Sequence, residues 1–434
     1  MDRVDQRGFD NQQSEFVGAA EAARLLGVKR ATLYAYASRG LVRSEPLPKG
    51  RGHRYARSDL ERLRVRGDAR AGHGAVAAGA LRWGEPVLET AISEITAAGP
   101  AYRGFSAVAL CRDSSFESVA ELLWSGTALD DARWPSRDAE KLVAQTKGKI
   151  PPRQAPLATL LAVAPRLALH DSARFSSPLE AELERARTLI RALASLTALS
   201  FDPDRVMRAA AAPRIAEAVA ISLGAPLRSA GVIERALVLS ADHELNASTF
   251  AARVVASTGA DLYATVTAAL AAMTGPRHGG ASERVEALVD EVSEPKHAGA
   301  VVTARAFRGE AIPGFGHPLY PAGDPRVAPL LEAASSAATR PRALATVLAV
   351  AGAMKRARRD LPNLDYGLVA VTRALGLPRG AASALFALGR TAGWVAHALE
   401  QRAANHVLRP RARYVGERRD GEGQDTRRMH SAAI

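Results

Sequence analysis

Three histidines of this 434-residue chain stand in loop-like sequence rather than on amphipathic helix faces. His243 lies in Ser240-Ala241-Asp242-His243-Glu244-Leu245-Asn246, His278 in Gly275-Pro276-Arg277-His278-Gly279-Gly280, and His317 in Pro313-Gly314-Phe315-Gly316-His317-Pro318. An imidazole can donate, accept or transfer a proton near neutral pH, and a neighbouring glycine lets backbone approach a ligand closely. One such histidine is most often a turn residue. Two in glycine-rich loops, with a third in a polar cluster, point to a site. Asp365, in Pro362-Asn363-Leu364-Asp365, precedes an apolar helical pattern, and its plain reading is a helix N-cap. Arg326 follows Asp324-Pro325, Arg390 interrupts the apolar run between Phe386 and Trp394, and Arg409 precedes Pro410. Each alone reads as a surface or ion-pair residue, except that an arginine in so apolar a run as Arg390 is costly without an anion.

Other chemistries find little support. None of the histidines has a second ligand one helical turn away, so no metal is expected. There is no P-loop, nucleophile elbow or dinucleotide fingerprint, and Gly314-Phe315-Gly316 alone is a weak phosphate signal. The only cysteine, Cys111, excludes a disulfide framework and a cysteine metal cluster and favours a cytoplasmic address. Met1–Gln13 has no apolar signal-peptide core, and apolar stretches such as Ala155–Ala168 are broken by Pro or Arg before spanning length, so no membrane partner is expected.

The elements that would position these residues are helices. The chain is long enough for two or more domains. Alanine and leucine dominate stretches such as Ala209–Leu223 and Ala343–Met354, and no region shows strands with turn punctuation, so the expected fold class is all-α. Residues 15–66 read as a separate small domain: helix at Ala19–Leu26, turn at Gly27, helix at Arg30–Ser38 ended by Gly40, basic turn at Pro46–Gly52, and a third helix at Ser58–Leu63 with Ser58 as N-cap. Positive charge concentrates here, with 15 Lys and Arg against 9 Asp and Glu in residues 1–70, in a chain of net charge +13. Residues 1–14 read as a disordered tail, 67–80 as a linker, and Tyr414–Ile434 as a polar end that frays.

Glu21-Ala22-Ala23, Leu25-Leu26-Gly27-Val28, Thr32-Leu33-Tyr34, Arg39-Gly40-Leu41 and Arg54-Tyr55 resemble the winged helix-turn-helix domain of MerR-type and excisionase-like proteins. The resemblance implies that Lys29, Arg30 and Thr32 approach DNA at the second helix while Arg51, His53 and Arg54 reach phosphates from the wing. The competing reading is a domain kept for packing or assembly.

Between Trp83 and Gly416 the chain resembles the citrate synthase family. The resemblance rests on Tyr102-Arg103-Gly104, the run Ala241–Phe250, Gly275-Pro276-Arg277-His278-Gly279-Gly280-Ala281, Gly314-Phe315-Gly316-His317 with Asp324-Pro325-Arg326, Pro362-Asn363-Leu364-Asp365, Gly389-Arg390, and Arg409-Pro410-Arg411 with Tyr414. It implies a citrate synthase fold in residues 81–434, with a large helical part (81–278 and 377–434) and a small one (279–376) closing over a cleft. On this resemblance Asp365 is the general base for an acyl-CoA, His278 stabilises the enol oxygen, and His317 polarises the carbonyl of oxaloacetate. His243, Arg326, Arg390 and Arg409 bind the oxo acid, Arg409 reaching in from the partner of a homodimer. CoA contacts fall to Pro313, Gly314 and Arg277. No cofactor is implied, since acetyl-CoA and CoA are substrate and product. Two positions depart from the family pattern. Pro318–Gly323 carries no Lys or Arg where many bacterial members hold CoA phosphates, a gap that Arg277 or Lys147–Lys149 could fill, and Ser282 replaces a common Asn. The readings left open are a citrate synthase, a 2-methylcitrate synthase, a citryl-CoA lyase, and a DNA-binding regulator with a ligand-sensing synthase-like domain.

Overall fold

The computed structural model describes residues 16–63, apart from 27, 40, 47–51, 58 and 61–62, and residues 88–410, apart from 176–177 and 358. The expected tail (1–14), linker (67–80), cap Ser58, wing residue Arg51 and polar end (Tyr414–Ile434) lie outside the described residues. The chain divides into two compact units, Met1–Glu89 and Thr90–Ile434.

In the first unit, β1 (Phe16–Gly18) leads into α1 (Ala19–Leu26) and α2 (Arg30–Ser38), then β2 (Ser44–Pro46) and β3 (His53–Ala56). The strands form an antiparallel sheet of order β1-β3-β2, with Val17 opposite Tyr55 and Glu45 opposite Arg54. Ala22 and Ala23 are small enough to bury where α1 meets its neighbours, and Val17, Leu33, Val42, Tyr55 and Leu60 complete a core under the helix-turn-helix. Asp59 holds the turn after α2 by accepting from the Arg43 backbone N–H and Nε, both at 2.9 Å.

The second unit opens with an antiparallel sheet, β4 (Ser93–Thr96), β5 (Gly99–Tyr102) and β6 (Phe105–Ser106). Helices follow: α3 (Ala107–Asp113), α4 (Phe116–Ser125), α5 (Arg137–Thr146), α6 (Pro156–Leu167), α7 (Leu179–Leu196), α8 (Val206–Ala210), α9 (Ile215–Leu223), α10 (Ala230–Ser240), α11 (Ala247–Ser257) and α12 (Leu262–Met273). The series ends with α13 (Ala281–Val292), α14 (Ala298–Phe307), α15 (Val327–Ser336), α16 (Pro341–Arg356), α17 (Leu364–Ala374) and α18 (Ala381–Ala403). The fold is mainly helical, as the composition implies. Ala209–Leu223 is nonetheless two helices, because Pro213 between α8 and α9 has no N–H to continue the ladder. The short sheet β4-β5-β6 was not legible, since its strands of two to four residues are below the length at which alternation registers. None of the described helices is long and apolar enough to cross a membrane.

α18 is the axis of this unit, buried along nearly its whole length from Ala381 to Gln401. Two glycines allow its close approach to α10 and the loop after it. A Cβ on Gly389 would lie 2.6 Å from the Leu237 carbonyl oxygen, and one on Gly393 2.3 Å from Asp242 Oδ1. The candidate residues then fall at helix ends around this axis: His243 after α10, His278 before α13, His317 and Arg326 between α14 and α15, and Asp365 in the first turn of α17. Arg390 lies on α18 itself.

Candidate active site

The loop holding His317 is shaped by two left-handed glycines, Gly314 (φ 85°) and Gly316 (φ 77°). Gly314 packs so tightly that a Cβ would sit 2.7 Å from Val285 Cγ2, which fixes the loop against α13. Because Pro318 has no N–H, the first free amide after the histidine is that of Leu319, and it donates to His317 Nδ1 at 3.2 Å. With Nδ1 accepting, a neutral His317 carries its proton on Nε2. Burial, then the nearby Arg326 charge, hold its pKa below the ordinary value.

His243 is buried, and its Nε2 lies 2.9 Å from Tyr320 Oη. The rings of His243, His317 and Tyr320 form a triangle with centroids 5.2, 5.6 and 4.9 Å apart. Burial, with Arg326 and Arg390 adding repulsion, pushes the His243 pKa well down, so the ring is neutral. Arg326 lies over the Tyr320 ring at 5.5 Å and is gripped by Asp324, Nε to Oδ1 at 2.9 Å and Nη2 to Oδ2 at 2.8 Å. Asp324 Oδ2 also accepts the Leu364 N–H at 2.9 Å, which ties Arg326 to the start of α17.

Asp365 is not the cap of α17. Asn363 holds that position, and Asp365 sits inside the first turn, where helix N–H groups favour a carboxylate. Ser282 Oγ donates to Asp365 Oδ1 at 2.5 Å. Burial nonetheless dominates and raises the Asp365 pKa, against the lowering effect of Ser282 and Arg326.

His278 places Nε2 2.7 Å from Ser248 Oγ and its ring edge-on to Phe386 at 5.9 Å. Ser248 Oγ also accepts from Trp394 Nε1 at 3.1 Å and lies 2.8 Å from Asn246 Oδ1, the cap of α11. Burial, then Arg390, lower the His278 pKa to about 4. Arg390 is 1% exposed, donates Nε to the Ser240 carbonyl at 2.7 Å, and lies over the Phe386 ring at 4.9 Å. Burial lowers its pKa to about 10, and among the described residues no carboxylate pairs with it. A buried guanidinium with spare donors calls for an anionic ligand.

His243, His278, His317, Arg326, Arg390 and Asp365 are thus brought together, each within electrostatic reach of at least one other. Pro313 and Gly314 line the same loop. Arg277 beside His278 is exposed. Lys149 is turned to His170, at 3.3 Å. Arg409 is exposed after Leu408, whose N–H donates to Ser257 Oγ at 3.0 Å, and among the described residues it makes no hydrogen bond or ion pair. In the first unit Lys29, Arg30 and His53 are exposed and Thr32 is half-buried, while Arg54 is held by Glu45 at 3.0 Å and over Phe16 at 5.1 Å.

Sequence reasoning missed the residues behind the first layer. Asp242 is fully buried, accepts from Ser93 Oγ and the Glu244 N–H, and faces His397 Nε2 at 3.5 Å. Glu244 sits at φ 52°, so this grip holds a strained turn next to His243. Arg253 donates to His397 Nδ1 at 3.2 Å, which leaves the His397 proton on Nε2, toward Asp242. Tyr320 and Ser248 were likewise unmarked. Adjacency of Asp242 to His243 was the one signal available.

Residues 80–411 match the family profile described as citrate synthase, C-terminal domain, and residues 16–64 match a helix-turn-helix domain profile. The chain is 32% identical over 334 residues to "Citrate synthase 2" of Bacillus subtilis, covering 73% of this chain and 90% of that protein. It is 31% identical over 337 residues to a "2-methylcitrate synthase" of Mycobacterium tuberculosis, covering 73% of this chain and 84% of that one. Among solved structures, the citrate synthase of Thermoplasma acidophilum in ternary complex with carboxymethyl coenzyme A and oxaloacetate matches with TM-score 0.65 at 25% identity, covering 78% of this chain and 96% of that one. That of Thermotoga maritima matches with TM-score 0.63 at 25% identity, covering 80% and 97%.

Proposed function

From the premise that the chain belongs to the citrate synthase family and is a citrate synthase-type enzyme, we propose that it condenses acetyl-CoA with oxaloacetate and water to give citrate and CoA. Asp365 takes a proton from the acyl methyl group. Its raised pKa supports this role, because a base is most effective when its pKa approaches that of the working solution. His278 donates Nδ1–H to the thioester oxygen as the enol forms, which requires the Ser248 hydroxyl proton to point at Nε2 rather than at Asn246. His317 donates Nε2–H to the keto oxygen of the oxo acid, the tautomer that the Leu319 amide selects. His243, Arg326 and Arg390 bind the carboxylates. The enol carbon attacks the polarised carbonyl, and water then hydrolyses the citryl thioester, releasing citrate and CoA. Side chains supply every proton transfer, so the reaction calls for no metal or organic cofactor.

The observation that carries this reading is the buried Arg390 without a carboxylate partner, set beside neutral His243 and a buried carboxylate base. Residues 279–376 act as the smaller part that closes over the rest, bringing His317, Arg326 and Asp365 onto His243, His278 and Arg390. The active form is a homodimer in which the exposed Arg409 completes a partner's oxo-acid site. Exposed Phe175, Leu179 and Val407, around a cavity of about 540 Å³ near the same chain end, support an apolar contact there. Purified protein given oxaloacetate with acetyl-CoA or propionyl-CoA should release free thiol, and the ratio of the two rates decides between citrate and 2-methylcitrate formation. Cleavage of citryl-CoA is the alternative if only the reverse partial reaction is seen.

A second reading concerns the first unit. Lys29, Arg30, Ala31, Tyr34 and Ser38 form an exposed face on α2, which supports docking of this helix in a DNA groove. A gel shift that weakens steeply with salt is expected, and absence of retardation at low ionic strength overturns it.

A further inference from the structure

Tyr320 takes no part in the chemistry proposed above, yet it is the side chain that the oxo-acid residues share. It is 4% exposed, and its Oη lies 2.9 Å from His243 Nε2, 77 residues away on the loop after α10. The Arg326 guanidinium stands over the face of its ring at 5.5 Å, and the His317 ring packs on it at 4.9 Å. Asp324 occupies Nε and Nη2 of Arg326, so among the described residues Nη1 is left over for a ligand. One ring therefore touches three of the residues to which the oxo acid is assigned.

The loop fixes this ring from both sides. Prolines stand at 318 and 321, where each holds its own φ and the second also restricts Tyr320 before it. The Tyr320 N–H donates to the His317 carbonyl, and the Gly323 N–H to the Tyr320 carbonyl, both at 3.0 Å. Gly323 adopts φ 107°, and a Cβ there would lie 2.8 Å from Leu361 Cδ1, so only glycine closes the turn.

The direction of the Tyr320–His243 bond follows from its protons. If His243 donated Nε2–H, the Tyr320 hydroxyl proton would be buried without a partner among the described residues, which is costly. If Tyr320 donates, both atoms are satisfied, and neutral His243 keeps its proton on Nδ1. Burial raises the Tyr320 pKa to about 12, so the hydroxyl keeps its proton at neutral pH.

We propose that Tyr320 is a positioning residue for the oxo acid, its hydroxyl holding the His243 ring in one tautomer and its face holding the Arg326 guanidinium. The proposal rests on the oxo-acid role given to His243 and Arg326 above. Side chains ordered in advance spare the ligand the cost of ordering them, and a guanidinium over an aromatic face keeps its place without a further carboxylate.

The test titrates full-length protein with oxaloacetate by calorimetry, apart from any turnover. Tyr320→Phe keeps the ring and removes the hydroxyl. It should weaken oxaloacetate binding about tenfold, the scale of one buried hydrogen bond, and leave CoA binding unchanged. In turnover, KM for oxaloacetate should rise with kcat little changed, the mark of lost uniform binding. Tyr320→Leu, which also removes the ring beneath Arg326, should weaken oxaloacetate binding further. In a His243→Ala background Tyr320→Phe should cost nothing more, because the hydroxyl acts through His243. Unchanged oxaloacetate affinity in Tyr320→Phe, or the same loss in the His243→Ala background, overturns the proposal. If the variants do not fold, neutron diffraction of wild type decides: deuterium on Tyr320 Oη aimed at Nε2, with His243 deuterated at Nδ1, supports the proposal, and deuterium on His243 Nε2 overturns it. Oxaloacetate binding that depends on Tyr320, without thiol release from either acyl-CoA, would instead refute the condensation and leave the role of Tyr320 standing.

Discussion

At the scale of single residues the proposed chemistry depends on where protons sit. His278, with its pKa lowered to about 4, and His317, lowered by burial, are neutral donors at pH 7. The acid limb of the pH–rate profile therefore belongs to Asp365, which must be ionised to act, and burial places that limb above the ordinary carboxylate range. Ser282 stabilises the charged form through its hydrogen bond. Ser282→Ala should raise the Asp365 pKa further and move the acid limb of kcat/KM to higher pH, with the plateau rate little changed. An unshifted limb measured across pH 4–8 would mean that Asp365 is not the titrating base. The residues themselves were legible in the sequence because each stands in a short motif of unusual type: glycine-flanked histidines, Asp324-Pro325-Arg326, Asn363-Leu364-Asp365. Their partners were not. Ser282 finds Asp365 across 83 residues, Tyr320 finds His243 across 77, and Ser93 finds Asp242 across 149, and no spacing rule spans such distances.

At the scale of elements, the site is a product of helix ends packed on α18. Gly393 allows Asp242 and the Ala241 carbonyl to approach that helix. Gly393→Ala must push them away, and overpacking of this kind costs about 1–3 kcal/mol, read as a lower urea midpoint with activity falling as His243 shifts. A second expectation concerns helix starts remote from the site. Glu234 accepts the Phe116 N–H at 2.5 Å and Glu117 accepts the Ile215 N–H at 2.8 Å, so two carboxylates support the starts of α4 and α9. Burial, then repulsion from Glu117, raise the Glu234 pKa to about 7 from an ordinary 4.5. A raised folded-state pKa means that its contribution is fully present below about 4.5 and is lost as pH rises through about 7. Glu234→Gln should therefore flatten the decline in melting temperature between about pH 4.5 and 7, and an unchanged slope would refute the shift. The helices were legible from composition, and the break at Pro213 follows from residue type. The short sheet β4-β5-β6 was not, because only β5 is buried throughout and strands of two to four residues carry no readable alternation.

At the scale of the whole molecule, the chain joins a helix-turn-helix unit to a citrate synthase-type enzyme. Both were legible because each carries its motifs in order. The proposed dimer is the part a single chain does not display: Arg409 is exposed and makes no hydrogen bond or ion pair among the described residues. If it serves a partner, mixing Asp365→Asn chains with Arg409→Ala chains and allowing exchange should restore about a quarter of wild-type activity, since half of the dimers then hold one intact site of two. Failure to complement, with each variant inactive and dimeric, would place Arg409 in its own chain's site. The most direct test of the central claim is thiol release from acetyl-CoA and propionyl-CoA with oxaloacetate, run beside Asp365→Asn. The account predicts oxaloacetate-dependent release by wild type, reduced about 10²–10⁴-fold in Asp365→Asn, the range for loss of a general base, with CoA and oxaloacetate binding retained. No release from either thioester by a protein that binds both ligands, or release undiminished in Asp365→Asn, would contradict it.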